Sequence, residues 1–275
     1  MAIVTISHEM GSGGSVIGAR LAERLELRYV DQDLIARAAE RYGCVVDALT
    51  HLDEVSPGLL ERFDAETRRH LIVLQSAVLD VAEEDNSVIM GRGGQVLLGG
   101  IAHVLRVFVR APLAVRVRRV TAKMAGEMGE TVDARTVAEM VRRSDQQKLG
   151  RMRHLFDVDW RDPALYDLVI DTGRLGFEEW GEMLISLVSR LKLVATEASR
   201  QAVRDRALAS RVRCSLAARS ETRRQRITVE AESGVVRLEG AVDLEPAVDV
   251  TRAVPGVAGV RTQLVEVPPI PPFLV

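Results

Sequence analysis

Two neighbouring stretches decide the fold: AIVTI at residues 2–6 and GSGGS at residues 11–15. The first is a β-branched run, typical of a strand buried in a parallel sheet. The second breaks the strand, and the apolar pattern of residues 16–25 then predicts an amphipathic helix. Glycines at such a junction let backbone N–H groups approach an anion, which the helix N-terminus also attracts. The junction therefore predicts a phosphate-binding turn, with a purely structural turn as the alternative.

The following sequence alternates short apolar runs with helical patterns. Further strands are predicted at residues 27–30, 87–90, 104–109 and 168–170. Helical patterns occupy residues 66–84, 112–124, 133–154 and 177–193. Short, continuously apolar strands that alternate with long helices indicate an α/β fold of three layers, in which helices cover both faces of a parallel sheet.

The pattern changes near residue 196. Residues 1–195 form the predicted α/β domain, and residues 196–203, which contain no glycine or proline, predict a helical connector. A small α+β domain in the order α-β-β-α-β is predicted at residues 204–268. Its helices lie at 204–218 and 245–253, and its strands at 226–231, 235–240 and 260–267. Residues 269–275 predict an extended, proline-rich tail.

Composition excludes several classes of protein. The 275 residues include 37 basic and 39 acidic side chains, for a formal net charge of −2, and 47% are hydrophobic. These values are ordinary for a globular protein and exclude a disordered or collagen-like chain. The near-neutral charge gives no strong indication of nucleic-acid binding.

The location of the protein is predicted from its cysteines and its apolar stretches. Cys44 and Cys214 lie far apart and in no metal-ligand spacing, which suits two reduced thiols. No apolar stretch approaches the roughly 20 residues that cross a bilayer, and the N-terminus lacks the basic region of a signal peptide. We therefore expect a cytoplasmic protein without a transmembrane segment.

The glycine turn matches no standard phosphate-binding pattern completely. In the P-loop pattern G-x-x-x-x-G-K-[ST], Gly13 and Ser15 match, but His8 replaces the first glycine and Gly14 replaces the lysine. That lysine normally contacts the β- and γ-phosphates of the nucleotide. The dinucleotide pattern G-x-G-x-x-G fits no better, because its third glycine would be Val16.

Several stretches, in order, resemble the cytidylate kinase-like branch of the nucleoside monophosphate kinases. ISHEMGSGG at residues 6–14 is similar to the branch's I-S-R-E-F-G-S-G-G, which also lacks the loop lysine, and YVDQDLI at 29–35 to its Y-Y-D-K-E-L-I. VIMGRGG at 88–94, RSDQQK at 143–148 and YDLVIDT at 166–172 resemble later segments. The resemblance spans about residues 1–190. It implies a P-loop kinase-like fold that uses ATP and Mg²⁺ to phosphorylate a nucleoside monophosphate, with CMP as the acceptor.

The resemblance also implies roles for the glycine turn. The residues that would hold the ATP phosphates are His8, Gly11, Ser12, Gly13, Gly14 and Ser15. The Ser15 hydroxyl would also hold the magnesium ion, and its alternative role is to cap the N-terminus of the first helix. His8 stands where the branch usually has arginine.

Four further residues are candidates for catalysis. Arg92 directly follows a predicted buried strand and is placed to bind the acceptor's phosphate. Asp31 would orient the acceptor phosphate or a metal-bound water, or else cap a turn. Lys148 and Arg151 share a helix face with Asp145. As a lid they would supply the positive charge that the loop lacks, and as an alternative the three residues form an ion-pair ladder.

The C-terminal domain resembles a BON domain. The resemblance lies in RITVEAESGVVRLEG at residues 226–240 and VPGVAGV at 254–260, and it implies a lipid or small-ligand partner without catalysis. Residues 200–226 contain nine arginines and two acidic residues. This charge predicts a solvated helix face or, alternatively, contact with an anionic ligand.

Two functions remain open from the sequence. The first is a phosphotransferase that moves a phosphoryl group from ATP to a nucleoside monophosphate. The second is a non-catalytic nucleotide-binding sensor that signals through the BON-like domain. Turnover of a monophosphate in the presence of ATP and Mg²⁺ distinguishes them.

Overall fold

A computed structural model describes residues 2–42, 65–128, 132–191, 193–241 and 243–265. The chain divides into two compact units, Met1–Arg200 and Gln201–Val275. Cys44 and the predicted proline-rich tail lie outside the described residues. Within the described part, no helix is long and apolar enough to cross a membrane.

The first unit is built on a five-stranded sheet. Its strands are β1 (Ile3–His8), β2 (Arg28–Val30), β3 (Ser87–Met90), β4 (Val104–Arg110) and β5 (Leu168–Asp171). They lie in the order β2-β3-β1-β4-β5, and every neighbouring pair is parallel. The parallel sheet predicted from the short apolar runs is therefore confirmed.

Seven helices of the first unit surround this sheet among the described residues. They are α1 (Gly14–Arg24), α2 (Gln32–Ala39), α3 (Ala65–Glu83), α4 (Gly94–Leu97), α5 (Leu113–Met128), α6 (Ala134–Phe156) and α7 (Phe177–Leu191). Short 3-10 turns occupy Glu40–Tyr42 and Pro163–Leu165.

Side chains of β4 show how the sheet is covered on both faces. Val107 and Val109 pack in one core with residues of α1 and α7, whereas Phe108 packs in another with Leu149 and Met152 of α6. Because successive side chains of a strand point to opposite faces, α1 and α7 cover one face and α6 covers the other. The three-layer α/β architecture is thus confirmed.

The second unit is a small α+β structure. A helix, α8 (Glu197–Ala218), begins before the division between the units and precedes two strands, β6 (Ile227–Glu232) and β7 (Val235–Gly240). A short helix, α9 (Glu245–Arg252), and β8 (Gly259–Leu264) complete it. The sheet order is β6-β7-β8, with β6 and β7 antiparallel and β7 and β8 parallel. The predicted α-β-β-α-β order is confirmed.

The parallel arrangement of the large sheet determines where the candidate functional residues lie. Parallel strands end at the same edge, and ligands of open α/β sheets bind beyond the carboxyl ends of the strands. The glycine turn follows β1, Arg92 follows β3 by one residue, and Asp31 directly follows β2. The candidates for phosphate binding therefore lie at one edge of the sheet.

We propose that the functional domain boundary lies in residues 196–203, and a chain that ends at Ala195 tests it. The core of the first unit uses residues between Val4 and Val188, with Leu193 packed against it. We expect the shortened chain to fold and to melt cooperatively, measured by circular dichroism. A matched chain that ends at Gly176 loses α7, whose Leu184, Ile185 and Val188 lie in that core, and should not fold. Failure of the chain ending at Ala195 to fold would contradict the boundary.

Candidate active site

The turn between β1 and α1 has room only for glycine at two positions. Gly11 and Gly13 have φ angles of 79° and 88°, which side chains rarely adopt. A Cβ on Gly11 would lie 2.8 Å from the Arg116 carbonyl oxygen, and one on Gly13 would lie 2.8 Å from the Phe177 Cβ. The backbone is therefore held in a curved turn that leads directly into the first turn of α1, where an anion binds best.

At positions 8 and 14 the small and the large residue of the P-loop pattern are interchanged: His8 replaces a glycine, and Gly14 replaces the lysine. A Cβ placed on Gly14 would overlap the His8 side chain. A lysine at position 14 is therefore incompatible with the imidazole at position 8, and the two departures from the pattern form one coupled change. His8 Nε2 lies 3.4 Å from the Ser15 Oγ. Burial, followed by the charge of Lys148, lowers the pKa of His8 to about 4, so the imidazole is neutral at physiological pH.

Lys148 brings a cation to this turn from α6. Its Nζ donates a hydrogen bond of 2.8 Å to the His8 carbonyl oxygen and lies 5.6 Å from the centre of the Trp160 ring. Burial, partly opposed by the charge of Asp145 and reinforced by that of Arg151, lowers the pKa of Lys148 to about 8. Lys148 thus lies beside the last residue of β1, and Arg151 is near enough for its charge to act on Lys148.

Asp145, the third residue of the predicted ion-pair ladder, forms its hydrogen-bonded ion pair with Arg116. Its Oδ2 accepts a hydrogen bond of 2.9 Å from Arg116, a buried residue of α5. Arg116 also donates to the Ala111 carbonyl at 3.0 Å and lies 3.3 Å from the Glu9 carboxylate. Burial raises the pKa of Glu9. This ion-pair cluster joins α5 and α6 to the residue that follows β1.

Sequence reasoning missed a second contact that holds the loop. Arg119 donates to both the hydroxyl and the carbonyl oxygen of Thr172, each at 2.8 Å, and to the Ser12 carbonyl at 3.3 Å. The Thr172 hydroxyl donates to the same Ser12 carbonyl at 2.6 Å. Thr172 directly follows β5, so its position at the carboxyl edge of the sheet was the available signal. The Ser12 hydroxyl is buried and has no hydrogen-bond partner among the described residues.

Arg92 lies in a backbone segment that is strained. Gly91, Arg92 and Gly93 have φ angles of 69°, 56° and 77° in succession. The left-handed conformation costs a residue with a side chain about 1–2 kcal/mol, and such strain is concentrated at functional sites. A Cβ on Gly93 would lie 2.7 Å from the Phe156 ring, so the turn packs closely on the end of α6. Arg92 is half-buried there.

Asp31 acts as a helix cap. Its Oδ1 accepts a hydrogen bond of 3.0 Å from the Leu34 N–H, at the N-terminus of α2. This contact is the structural alternative that the sequence left open. Val30 is in register with Ile89 of β3, and Met90 with Ile6 of β1, so Asp31, Arg92 and the glycine turn follow three adjacent strands.

The residues present fit a nucleotide with magnesium. The glycine turn has the positive φ angles of a curved backbone that can surround phosphate oxygens, and Lys148 supplies positive charge beside it. Among the described residues, no group of three or more His, Cys, Asp or Glu side chains could hold a metal by itself. Magnesium in kinases binds mainly to substrate phosphates and water, so a single hydroxyl such as that of Ser15 is compatible with it.

A parallel sheet in the order β2-β3-β1-β4-β5, with a glycine turn between β1 and α1, agrees with a P-loop kinase-like fold. The model of the cytidylate kinase-like family matches residues 3–174, and the model of the BON domain matches residues 204–268. The first match covers more than half of the chain. The chain therefore belongs to the cytidylate kinase-like family, whose reaction type is kinase phosphoryl transfer, and it carries a C-terminal BON domain.

Named relatives and a solved structure agree with this assignment. The cytidylate kinase of Methanopyrus kandleri is 28% identical over 198 residues, which cover 69% of this chain and 94% of that protein. The cytidylate kinase of Methanocaldococcus jannaschii is 26% identical over 193 residues, with coverages of 69% and 99%. An uncharacterized protein from Eubacterium ventriosum is similar in structure, with a TM-score of 0.52 at 22% identity and coverages of 69% and 99%. This last similarity supports the fold alone.

Proposed function

We propose that the protein transfers the γ-phosphoryl group of ATP to a nucleoside monophosphate, with CMP as the acceptor, in the cytoplasm. The observation that carries the proposal is the hydrogen bond from Lys148 to the His8 carbonyl, because it returns a lysine ammonium to a loop that has lost its own. Membership of the cytidylate kinase-like family supports the reaction type, and the names of the archaeal relatives support the acceptor.

In this proposal the glycine turn binds the ATP phosphates. Backbone N–H groups of Gly11, Gly13 and Gly14 face the phosphate oxygens, and the dipole of α1 favours their negative charge. The Ser12 N–H instead donates to the Glu9 carbonyl oxygen at 3.1 Å and so holds the shape of the turn. The Ser15 hydroxyl binds magnesium, which, when bound, neutralises the charge that develops on the transferred group. Neutral His8 hydrogen-bonds Ser15 and fixes the orientation of that hydroxyl.

Lys148 and Arg151 supply the positive charge of the site. Phosphoryl transfer passes through a transition state whose charge is spread over the phosphoryl oxygens, and fixed cations stabilise it. Lys148 is half-buried and already hydrogen-bonded to the His8 carbonyl oxygen, so in this proposal it acts from a fixed position rather than by the closure of a lid. Arg151, one turn further along α6, adds charge to the same place.

Arg92 and Asp31 act on the acceptor. A guanidinium makes two parallel hydrogen bonds to a phosphate, and the strained turn after β3 fixes its direction. Asp31 uses one carboxylate oxygen to cap α2, and we propose that its second oxygen orients the acceptor or a water on the metal.

The second candidate is a nucleotide sensor without catalysis. The observation that favours it is the coupled loss of the loop lysine and gain of His8, together with the attached BON domain. In this case ATP binds at the glycine turn and its presence is signalled through the second unit.

The direct test is diphosphate formation by the purified full-length chain. With ATP, Mg²⁺ and a panel of CMP, UMP, AMP and GMP, we expect nucleoside diphosphate to form, with the highest kcat/KM for CMP. Chromatography of the nucleotides measures it. ATP binding without turnover of any monophosphate would instead establish the sensor.

The lowered pKa of Lys148 predicts a pH dependence of ATP binding. Only the protonated ammonium attracts phosphate, and its pKa in the free protein is about 8, compared with 10.5 for an ordinary lysine. The Kd for ATP should therefore be constant up to about pH 8 and then rise by up to tenfold per pH unit. ATP is fully ionised in this range, so its own titration does not interfere.

Two variants locate the effect in Lys148. The Lys148→Arg side chain stays charged at every pH of the experiment and should abolish the rise in Kd. The Lys123→Arg variant changes an exposed lysine of α5 and should still show the rise in the Kd for ATP above pH 8. The same Kd for the original protein at pH 7.5 and pH 9.5, measured by calorimetry, would contradict the role of Lys148.

Replacement of Arg92 should weaken binding of the acceptor and leave binding of ATP unaffected. In Arg92→Ala, loss of the two parallel hydrogen bonds should raise the KM for CMP at least tenfold, while the KM for ATP changes less than about twofold. Steady-state kinetics measures both values, and Arg118→Ala, at an exposed position of α5, is the matched control. An unchanged KM for CMP would show that the acceptor binds elsewhere.

A further inference from the structure

The strand β6 lies at an open edge of the small sheet. It pairs with β7 in a regular register of six residue pairs, from Ile227–Gly240 to Glu232–Val235, and the sheet order places no described strand on its other side. An edge strand leaves a row of backbone N–H and C=O groups available for another strand. Proteins usually protect such edges with charged side chains, above all lysine, with proline or with a bulge. The sequence of β6, ITVEAE, contains no lysine or proline and its register contains no bulge, and its charged side chains are those of Glu230 and Glu232.

A cavity of about 780 Å³ follows this edge. One wall consists of the consecutive residues 229–233, and the opposite wall of Arg206, Ala209 and Arg213 on α8. Successive residues of a strand point to opposite faces of the sheet. A cavity lined by every residue in turn must therefore run along the edge of the strand, where the backbone groups project. Its volume lies in the range of cavities that bind ligands.

Arginines surround the cavity. Arg206 and Arg213 are two helical turns apart and half-buried, and burial lowers the pKa of both. The Arg213 Nε is buried and finds no hydrogen-bond acceptor in the part of the chain that the structure describes. Arg237 and Arg261, in register on β7 and β8, line the cavity from the other face of the sheet.

Two of the three acidic residues that line the cavity have partners within the domain. Asp205 accepts a hydrogen bond of 2.8 Å from the Ser233 N–H, and Glu230 lies 3.9 Å from Arg237, whereas Glu232 is exposed. Four arginines therefore line the cavity with three carboxylates, and the Arg213 Nε is left desolvated without an acceptor among the described residues. Such a group is stabilised by a carboxylate or phosphate that arrives with a ligand.

We propose that an extended peptide with acidic side chains adds to β6 as a fourth strand of this sheet. Its backbone pairs with the β6 edge, and the carboxylates on its α8 side bind Arg206 and Arg213. The four strand residues 229–232 span about 13 Å at roughly 3.3 Å per residue, which corresponds to a peptide of similar length. A single small anion would bind the arginines but would leave most of the β6 edge without a partner. The shape of the cavity therefore favours a peptide. The site is independent of the proposed phosphotransfer.

A synthetic probe tests strand addition directly. The probe is the acetylated peptide Glu-Val-Glu-Val-Glu-Val-Glu, labelled for fluorescence anisotropy and titrated with the full-length protein. Two further versions carry N-methyl groups on the odd or on the even residues. Because alternate N–H groups of a strand point to the same side, we expect one methylated version to lose binding at least tenfold and the other to bind nearly as the parent does.

Protein variants test the contribution of the arginines. Arg206→Gln with Arg213→Gln should raise the Kd of the probe at least tenfold. The matched control, Arg219→Gln with Arg252→Gln, makes the same change of charge at exposed positions outside the cavity and should raise it less than about twofold. Thermal melts show whether each variant is folded, and the methylated peptides test the proposal without any change to the protein.

Three outcomes would overturn the proposal. The first is no binding of the parent peptide at about 0.15 M salt. The second is equal binding of both methylated versions, combined with displacement by inorganic phosphate, which would show a simple anion site. The third is binding of phosphatidylserine vesicles, dependent on Arg206 and Arg213, by a protein that does not bind the peptide.

Discussion

The hydrogen bond between Lys148 Nζ and the His8 carbonyl oxygen is the contact on which the proposed site depends. It joins the middle of α6 to the last residue of β1, and it places an ammonium group beside a turn whose glycines offer only backbone N–H groups. The presence of histidine at position 8 and glycine at position 14 explains why the positive charge comes from Lys148 on α6. With a histidine over Gly14, no side chain fits at the usual position of the lysine.

Burial of the charged Lys148 ammonium lowers the stability of the folded protein, and its lowered pKa shows how this effect changes with pH. The pKa of Lys148 is about 8 in the folded protein and near its ordinary value of 10.5 in the unfolded chain. Below pH 8 both states carry the proton, and the folded state bears the unfavourable charge in a desolvated place. Stability therefore rises as the pH increases from about 8 to about 10.5. A buried charge that lowers stability is typical of a group retained for binding or catalysis.

The sequence predicts the sheet well because its strands are short, apolar and separated by clear helical patterns. The strand predicted at residues 87–90 is observed at Ser87–Met90, and the strand predicted at 235–240 is observed at Val235–Gly240. The contacts of the site depend instead on residues far apart in the chain. No local pattern shows that the Lys148 side chain reaches the His8 carbonyl, or that Arg119 and Thr172 both hold the Ser12 carbonyl. The catalytic, phosphate-binding and magnesium-binding roles of all the candidate residues stay predictions.

Turnover of CMP by variants that move the lysine is the most direct test of this account. Lys148→Met should lower kcat at least a hundredfold, since it removes the cation and retains the apolar volume. Adding His8→Gly and Gly14→Lys to that variant returns the lysine to the loop and removes the overlap with the imidazole, so kcat should recover at least tenfold. A Lys148→Met protein that phosphorylates CMP at the original rate would contradict the central claim.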